Sequence, residues 1–399
     1  MFKVYRVGGS VRDELLGAVP HDNDYVVVGA TEEEFLAAYE GAKNVGANFP
    51  VFMYEGDEYA FARTERKSGS GRRGFDVKFD PTVTLADDLL RRDLTVNTFA
   101  VNVADSRDML NVSGALEDLG NKVLRHVSEA FVEDPLRVFR VARFAAKFPD
   151  WSVAPETMDL CCEMVHLLGE VSPDRVFGEM CRAFETKLPS RFFRFLDDVG
   201  ALHQFFPEVA AMRAVPAGPE LYHPEGSLFN HTMNVLDATS PVPLWRFGAL
   251  VHDFGKLETD PKEYPHHHGH EKMGLDSLKA FCRDLRVSCS FTSFALFMAR
   301  RHMSLKVFDR MRPGKAAAML VDMGRIGVTI DGALAVSKAD GNCDTDLEML
   351  AACHDAVMRV KLPAEHHGKG KVCGEILTSL RGHELKRVRG EFLRARKQD

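Results

Sequence analysis

The spacing of apolar and polar residues changes several times within the first hundred positions. Residues 2–7 alternate and read as a strand. Gly8 and Gly9 break that pattern, and the spacing over 11–16 predicts a short helix. Backbone N–H groups after the glycines then lie at a helix N-terminus, a favourable place for an anion, with Arg12 one turn in. After a loop through Pro20, Asp22 and Asp24 open an apolar strand at 25–28. Residues two apart on a strand point the same way. Two carboxylates on one face beside a phosphate cradle can hold Mg²⁺ ions that bridge a triphosphate. Asp344 and Asp346 have the same spacing but no glycine turn before them, so the ordered combination carries the signal.

Thr31 with Glu34 forms a capping-box pattern that predicts a helix to about residue 39. Residues 51–54 and 58–64 read as strands joined at Glu55-Gly56-Asp57. The polar, basic, glycine-rich stretch 65–74 fits equally a surface loop or a mobile loop that contacts phosphate or RNA. Residues 75–79 resume a strand, 85–103 read as helix, and 104–121 as loop. Arg91, Arg92, Asp93 and Asn97 in that helix fit a solvated face or a nucleotide-orienting group. This first part is an α/β or α+β sheet domain.

From residue 128 the pattern turns helical. Asp134, Arg137, Arg140 and Arg143 are three apart, each stepping back about 60° around a helix. They form either a salt-bridged exposed face or a base-reading edge. Asp accepts from an exocyclic amine and Arg donates to ring acceptors. Phe192, Phe193, Phe195 and Leu196 fit a helical core, and 215–219 fits a linker. His231 then lies on a helix, and an apolar helix at 247–251 runs into His252-Asp253. A His266-His267-His268-Gly269-His270 loop follows, with His302 and Asp340 on later helices. Most of this second half's histidines, of sixteen in all, concentrate here. His231, His252, Asp253 and Asp340 make a mixed N/O set that suits Mn, Co, Ni, Fe or Mg better than structural zinc. Such a set supports phosphoester hydrolysis. Lys386, Arg387, Arg389, Arg394, Arg396 and Lys397 alternate with Glu384, Glu391 and Asp399, which favours a solvated terminal helix.

Composition narrows the class. A chain of 399 residues, 45% hydrophobic, has room for two to four cored domains. No run approaches the ~18 apolar residues of a membrane span, and the start lacks the apolar region of a signal peptide. Eight cysteines without Cys-x-x-Cys pairs fit reduced thiols in the cytoplasm. A net charge of −7 leaves nucleic-acid binding to a local basic surface.

These motifs together resemble the bacterial CCA-adding enzymes, class II tRNA nucleotidyltransferases of the polymerase-β-like kind, in the long subtype with a C-terminal HD domain. Gly8-Gly9-Ser10-Val11-Arg12-Asp13 with Asp22 and Asp24 resembles the nucleotide and metal motif. The stretch 63–71 with Gly74-Phe75 resembles the flexible loop. Arg91-Arg92-Asp93-Leu94-Thr95-Val96-Asn97 resembles the ribose-contacting motif. Glu133-Asp134-Pro135-Leu136-Arg137 resembles the protein template, with Arg140 and Arg143 at further nucleotide positions. His231, His252-Asp253 and Asp340 fall where HD-family ligands fall. Asn111-Val112-Ser113-Gly114 departs from the family's usual Asp-Pro-Tyr-Asn-Gly-like turn, and the last 35 residues match poorly.

The resemblance implies an α+β fold, with a polymerase-β-like head sheet followed by an all-α body. The expected divisions are a head at 1–127, a helical neck at 128–215, an HD domain at 220–355 and a tail at 356–399. It implies addition of C, C and A to the 3′ end of tRNA from CTP and ATP, with Asp22 and Asp24 holding Mg²⁺. Gly9, Arg12 and Arg92 would grip the nucleotide, and Asp134 and Arg137 would read its base. His231, His252, Asp253 and Asp340 would hold Ni, Co or Mn for phosphatase and 2′,3′-cyclic phosphodiesterase activity. A monomer or homodimer without membrane association is expected. The rival readings are a poly(A) polymerase and an HD phosphohydrolase with a nucleotide-sensing head.

Overall fold

Alternation along β1 (Lys3–Val7) and β2 (Asp24–Val28) sends side chains to opposite faces of one sheet. The computed structural model describes residues 2–20, 22–46, 49–67, 75–368 and 371–395. The seven-stranded sheet adds β3 (Lys43–Asn44), β4 (Val51–Tyr54), β5 (Asp57–Phe61), β8 (Ala100–Asn102) and β9 (Met109–Leu110). Its order is β3-β4-β5-β2-β1-β8-β9; β2 runs parallel to β5 and antiparallel to β1. A separate ribbon pairs β6 (Thr64–Lys67) with β7 (Phe75–Lys78). The glycine-rich segment between them, 68–74, lies outside the described residues.

Val4 and Val27 pack on one sheet face with Phe35, Phe52, Tyr59 and Phe61. Tyr5, Val7 and Val26 pack on the other with Val83, Leu85, Leu89 and Ala100. Each face is thus covered, by α2 (Glu32–Ala38) through Phe35 and by α3 (Leu85–Leu90). The helix α1 (Gly9–Leu15) follows β1 directly. Phe35 is completely buried, and an aromatic burial of that kind contributes about 1.5–3 kcal/mol.

Two expectations fail in this region. The helix expected over 85–103 stops at Leu90; Thr95–Asn97 form a 3₁₀ turn and Ala100–Asn102 join the sheet against β1. Asp93 accepts from Leu94 N and Asn97 Nδ2, both at 2.9 Å, and so ties down the 3₁₀ turn that follows. The β-branched Thr95, Val96, Thr98 and Val101 favour the turn and strand that follow. The loop expected over 104–121 contains β9 and α4 (Ala115–Asn121).

The chain divides into two compact units, Met1–Glu179 with Arg191–Gln204 and Met180–Ser190 with Phe205–Asp399. In the first, α5 (Leu136–Lys147) is buried on most sides, with Val138, Phe139, Val141 and Ala142 inaccessible to solvent. It is followed by α6 (Pro155–Glu163), α7 (Pro173–Phe184) and α8 (Ser190–Asp198).

The second unit is helical throughout. After α9 (Leu202–Phe205), which falls in the first unit up to Gln204, come α10 (Pro207–Ala211), α11 (Leu228–Ala238), α12 (Pro243–Val251), α13 (Leu275–Asp284) and α14 (Cys289–Lys306). Then follow α15 (Pro313–Ile326), α16 (Ile330–Ala339), α17 (Leu347–Arg359) and α18 (Lys371–Ala395). No helix among the described residues is long and apolar enough to cross a membrane. The linker expected at 215–219 is instead built into this unit. Val215 and Ala217 are buried, and the Ala217 carbonyl accepts from Lys256 Nζ at 2.7 Å. The terminal helix is solvated only in part: Arg387 pairs with Glu384 and Glu391 in the open, but buried Arg389 donates to the Phe308 carbonyl at 2.7 Å.

Candidate active sites

At the head site, Asp24 is the first residue of β2, in register with Val7 at the end of β1 and with Glu58 on β5. Asp22 precedes it by two residues, and all three acidic residues are exposed. Desolvation raises the Asp24 carboxyl above its ordinary range; Arg92 draws it back, while Asp22 and Asp57 add to the rise. Desolvation also raises Glu58, and Asp24 adds to it. Neighbouring carboxylates thus add to the desolvation of Asp24 and Glu58, and such a hard oxygen set is one that a divalent cation would relieve. Glu58 escaped sequence reasoning because only the parallel pairing of β2 with β5 brings it to Asp24.

The glycine turn serves an arginine. Gly8 has φ +72°, and a Cβ there would lie 3.0 Å from Arg92 Nη1. Arg92 Nη1 donates to the Asn97 carbonyl at 3.2 Å and Nη2 to Asp88 at 3.1 Å. Its Nε is buried with no hydrogen-bond partner among the described residues. Asp88, itself inaccessible, also takes Arg91 at 2.6 Å, and these two cations outweigh its burial to hold the carboxyl low. A Cβ on Gly9 would lie 3.4 Å from Arg12 Nη2. Arg12 is buried rather than open to the turn. It donates to Asn97 Oδ1 and to Asp13 at 2.8 Å, with its guanidinium over the rings of Phe144 and Phe148.

The arginine stripe on α5 is held from inside. Arg140 Nε donates to Asp93 at 2.7 Å. Burial opposes charge on Asp93, but Arg140, Asn97 and Leu94 N hold its carboxyl well below the usual range. Arg143 Nε donates to buried Glu179 at 2.6 Å. Arg137 donates to the carbonyls of Ala130, at 2.7 Å, and Arg91. Asp134 is paired with Arg175, a residue that sequence reasoning passed over because it lies 41 positions away.

The second unit brings His231, His252, Asp253 and Asp340 together. Asp253 Oδ2 lies 3.2 Å from His252 Nε2 and 3.6 Å from His231 Nε2. Asp340 Oδ1 lies 3.2 Å from His231 Nε2 and 3.7 Å from His252 Nε2. Two further histidines approach the other oxygen of Asp253: His270 Nε2 at 3.2 Å and His302 Nε2 at 3.3 Å from Oδ1. A Cβ on Gly255 would come 1.9 Å from the His270 carbonyl, so only glycine lets the His270 segment close in.

Hydrogen bonding fixes the rings. His252 Nδ1 donates to the Ala249 carbonyl at 2.7 Å, His270 Nδ1 to His267 at 2.9 Å and His302 Nδ1 to Met298 at 3.0 Å. A carbonyl only accepts, so Nδ1 carries a proton in each ring and Nε2 is the atom turned inward. His231 Nδ1 is held likewise by Glu225 Oε1 at 2.7 Å. The inward Nε2 atoms face the carboxylate oxygens of Asp253 and Asp340, an arrangement of nitrogen and oxygen donors that could take a cation between them. The Nε2 atoms of His231 and His252 and Oδ1 of Asp253 are buried without hydrogen-bond partners among the described residues. Lys256 and Lys306 balance the acids, at 2.7 Å from Asp253 Oδ2 and 2.6 Å from Asp340 Oδ2. Glu225 and both lysines gave no sequence signal, since nothing in their local pattern ties them to the His-Asp pair.

Residues 4–125 match the family described as the poly A polymerase head domain, and 150–213 that described as a probable RNA and SrmB-binding site of polymerase A. A multifunctional CCA protein of Paraburkholderia phymatum is 45% identical over 329 residues, 79% of this chain and 77% of that one. One from Nitrosococcus oceani is 43% identical over 356 residues, 87% and 86% of the two. The fold is shared with a CCA-adding enzyme solved with CTP, with a TM-score of 0.60 at 20% identity over 99% of this chain and 91% of that one. A Thermotoga maritima CCA-adding enzyme complexed with tRNA gives a TM-score of 0.55, again at 20% identity, over 99% and 91%. Identity above two-fifths across most of both chains makes this chain a member of the multifunctional CCA protein family.

Proposed function

We propose that this chain adds C, C and A to the 3′ end of tRNA from CTP and ATP at the head site, and hydrolyses phosphomonoesters and 2′,3′-cyclic phosphates at the histidine-aspartate centre. The observation that carries this division is that the chain builds two ligand sets of opposite character. One is an exposed all-carboxylate group beside a glycine turn; the other is a buried group of imidazoles around Asp253.

At the head site Asp22 and Asp24, with Glu58 beside them, hold Mg²⁺. Mg²⁺ held there would supply charge neutralisation at the triphosphate while the tRNA 3′-hydroxyl takes the α-phosphate and pyrophosphate leaves. Gly9 and Arg92 receive the phosphates, with the unpartnered Nε of Arg92 available to an anion. Arg12 acts from behind, fixing Asn97. Asp134 would present an acceptor to the base edge and Arg137, whose guanidinium is held by the Ala130 and Arg91 carbonyls, would stand beside it as the donor, so that protein replaces a template. Arg140 and Arg143 keep that edge in place through Asp93 and Glu179.

At the second centre Asp253 directs one oxygen to His231 and His252 and the other to His270 and His302. Asp253 would hold metal together with His231 and His252 on one side and His270 and His302 on the other, and Asp340 would join the first group. Imidazole-rich sites of this kind would take Ni, Co or Mn, and the metal would supply Lewis-acid activation for phosphoester hydrolysis. Glu225 sets the tautomer of His231.

The test is extension of a tRNA lacking CCA with Mg²⁺ and CTP, ATP or both, beside hydrolysis of a 2′,3′-cyclic nucleotide with Ni²⁺, Co²⁺ or Mn²⁺. Two additions with CTP, a third and then a stop with ATP, and metal-dependent hydrolysis are expected. A ladder of added A would make the chain a poly(A) polymerase. Hydrolysis without extension would leave the head as a nucleotide sensor.

A further inference from the structure

We infer that Arg175 is a positioning residue for nucleotide selection, acting by locking the Asp134 carboxylate so that a single acceptor position is left for the incoming base. The inference rests on the proposed role of Asp134 in reading that base.

A carboxylate has about four acceptor positions, two on each oxygen. On Asp134, Oδ1 accepts from Leu136 N at 3.1 Å and from Arg175 Nη1 at 3.2 Å. Oδ2 accepts from Arg175 Nη2 at 2.7 Å. Those bonds occupy three of the four positions and leave one, on Oδ2. The fork of a guanidinium also fixes the carboxylate plane, which a single donor cannot do. The remaining acceptor therefore has a set direction.

That direction matters for selection. Cytosine and adenine each present an amino donor beside a ring-nitrogen acceptor on the pairing edge. Uracil and guanine present an oxo acceptor beside a ring N–H donor. A fixed acceptor accepts the first pair and repels the second. A carboxylate free to rotate can turn its lone pairs away from an oxo group, and discrimination falls.

Arg175 is itself anchored by position. It begins α7 one turn before Glu179, so one helix face supplies the partner of Asp134 and the partner of Arg143. The Arg175–Asp134 pair is partly open to solvent, at 28% and 20% exposure. Pairs of that kind contribute little to stability, so its geometric role can be separated from folding.

The experiment compares kcat/KM for CTP against UTP on a tRNA lacking CCA, and for ATP against GTP on a tRNA ending in CC. It uses the full chain and the variants Arg175→Met, Arg175→Lys and Asp134→Ala. Both nucleotides are measured on one preparation, so the ratio is independent of the folded fraction. Arg175→Met is expected to lower both preferences on the order of tenfold, the scale of one hydrogen-bonded base discrimination. Arg175→Lys, with a point charge in place of the fork, is expected to fall between Arg175→Met and the parent. An Arg175→Met enzyme with unchanged ratios, or with CTP and UTP slowed equally, would overturn the inference. If Asp134→Ala lowers the ratios but Arg175→Met does not, only the role of Arg175 fails. If Asp134→Ala leaves the ratios unchanged, base reading by Asp134 fails first.

Discussion

Under the proposed function, the head carboxylates and the histidine-aspartate centre would solve one problem, holding cations near phosphate, by opposite means. Asp22, Asp24 and Glu58 sit at strand ends open to solvent. His252, Asp253 and His302 are almost wholly buried. An open carboxylate set leaves coordination positions for water and for a substrate that brings its own phosphates, as a hard ion requires. A buried set surrounds the ion with protein ligands, and neutral imidazoles limit the charge taken out of water. The difference teaches that exposure and ligand type are chosen together.

The sharpest break between the two sites is functional. Asp24→Asn is expected to lower nucleotide addition by ~10³-fold or more while hydrolysis of a cyclic nucleotide is retained. Asp253→Asn is expected to do the reverse. Loss of both activities in either variant, measured side by side, would dissolve the comparison.

Metal content sharpens it next. Mass spectrometry of Ni²⁺-loaded protein is expected to find two ions per chain, one in His302→Ala and none in Asp253→Asn. Glu225→Gln is expected to weaken metal affinity about 10–100-fold, because it disturbs the ring of His231 without removing a ligand.

A third effect is on stability. Asp93→Asn leaves Arg140 without its buried carboxylate and is expected to cost about 3 kcal/mol in urea unfolding. The folded carboxyl lies below its unfolded value, so its contribution is complete above about pH 4 and is lost as the pH falls. The Asn variant should lack that acid-dependent loss. Thr31→Ala gives the smallest effect, about 1 kcal/mol, by removing the cap of α2, with both activities unchanged.

What the sequence disclosed follows from how local each feature is. The Thr31–Glu34 cap, β1, β2 and the turn at Glu55-Gly56-Asp57 depend on neighbours within a few residues, and they were legible. Residues 85–103 were misread because the helical spacing ignored what Ala100–Asn102 would meet, an open edge of β1. The His-Asp pair announced a metal set. His270 and His302 were visible as histidines, but only the fold brings them to the second oxygen of Asp253. Arg12 was read as part of an open anion site and Arg137 as lying on an exposed face or a base-reading edge, because a sequence shows the guanidinium and not the carbonyls and rings that enclose it.

The ring anchors of the buried centre have a consequence for the cell. His252, His270 and His302 each donate to a carbonyl three or four residues earlier in the chain. Their orientation is therefore set by their own turns, before any ion arrives. Under the proposed division of labour, hydrolysis would track the supply of scarce transition metal, while tRNA completion would draw on abundant magnesium. Metal nutrition would thereby shift the balance between mending RNA ends and building them, with no change in the amount of protein.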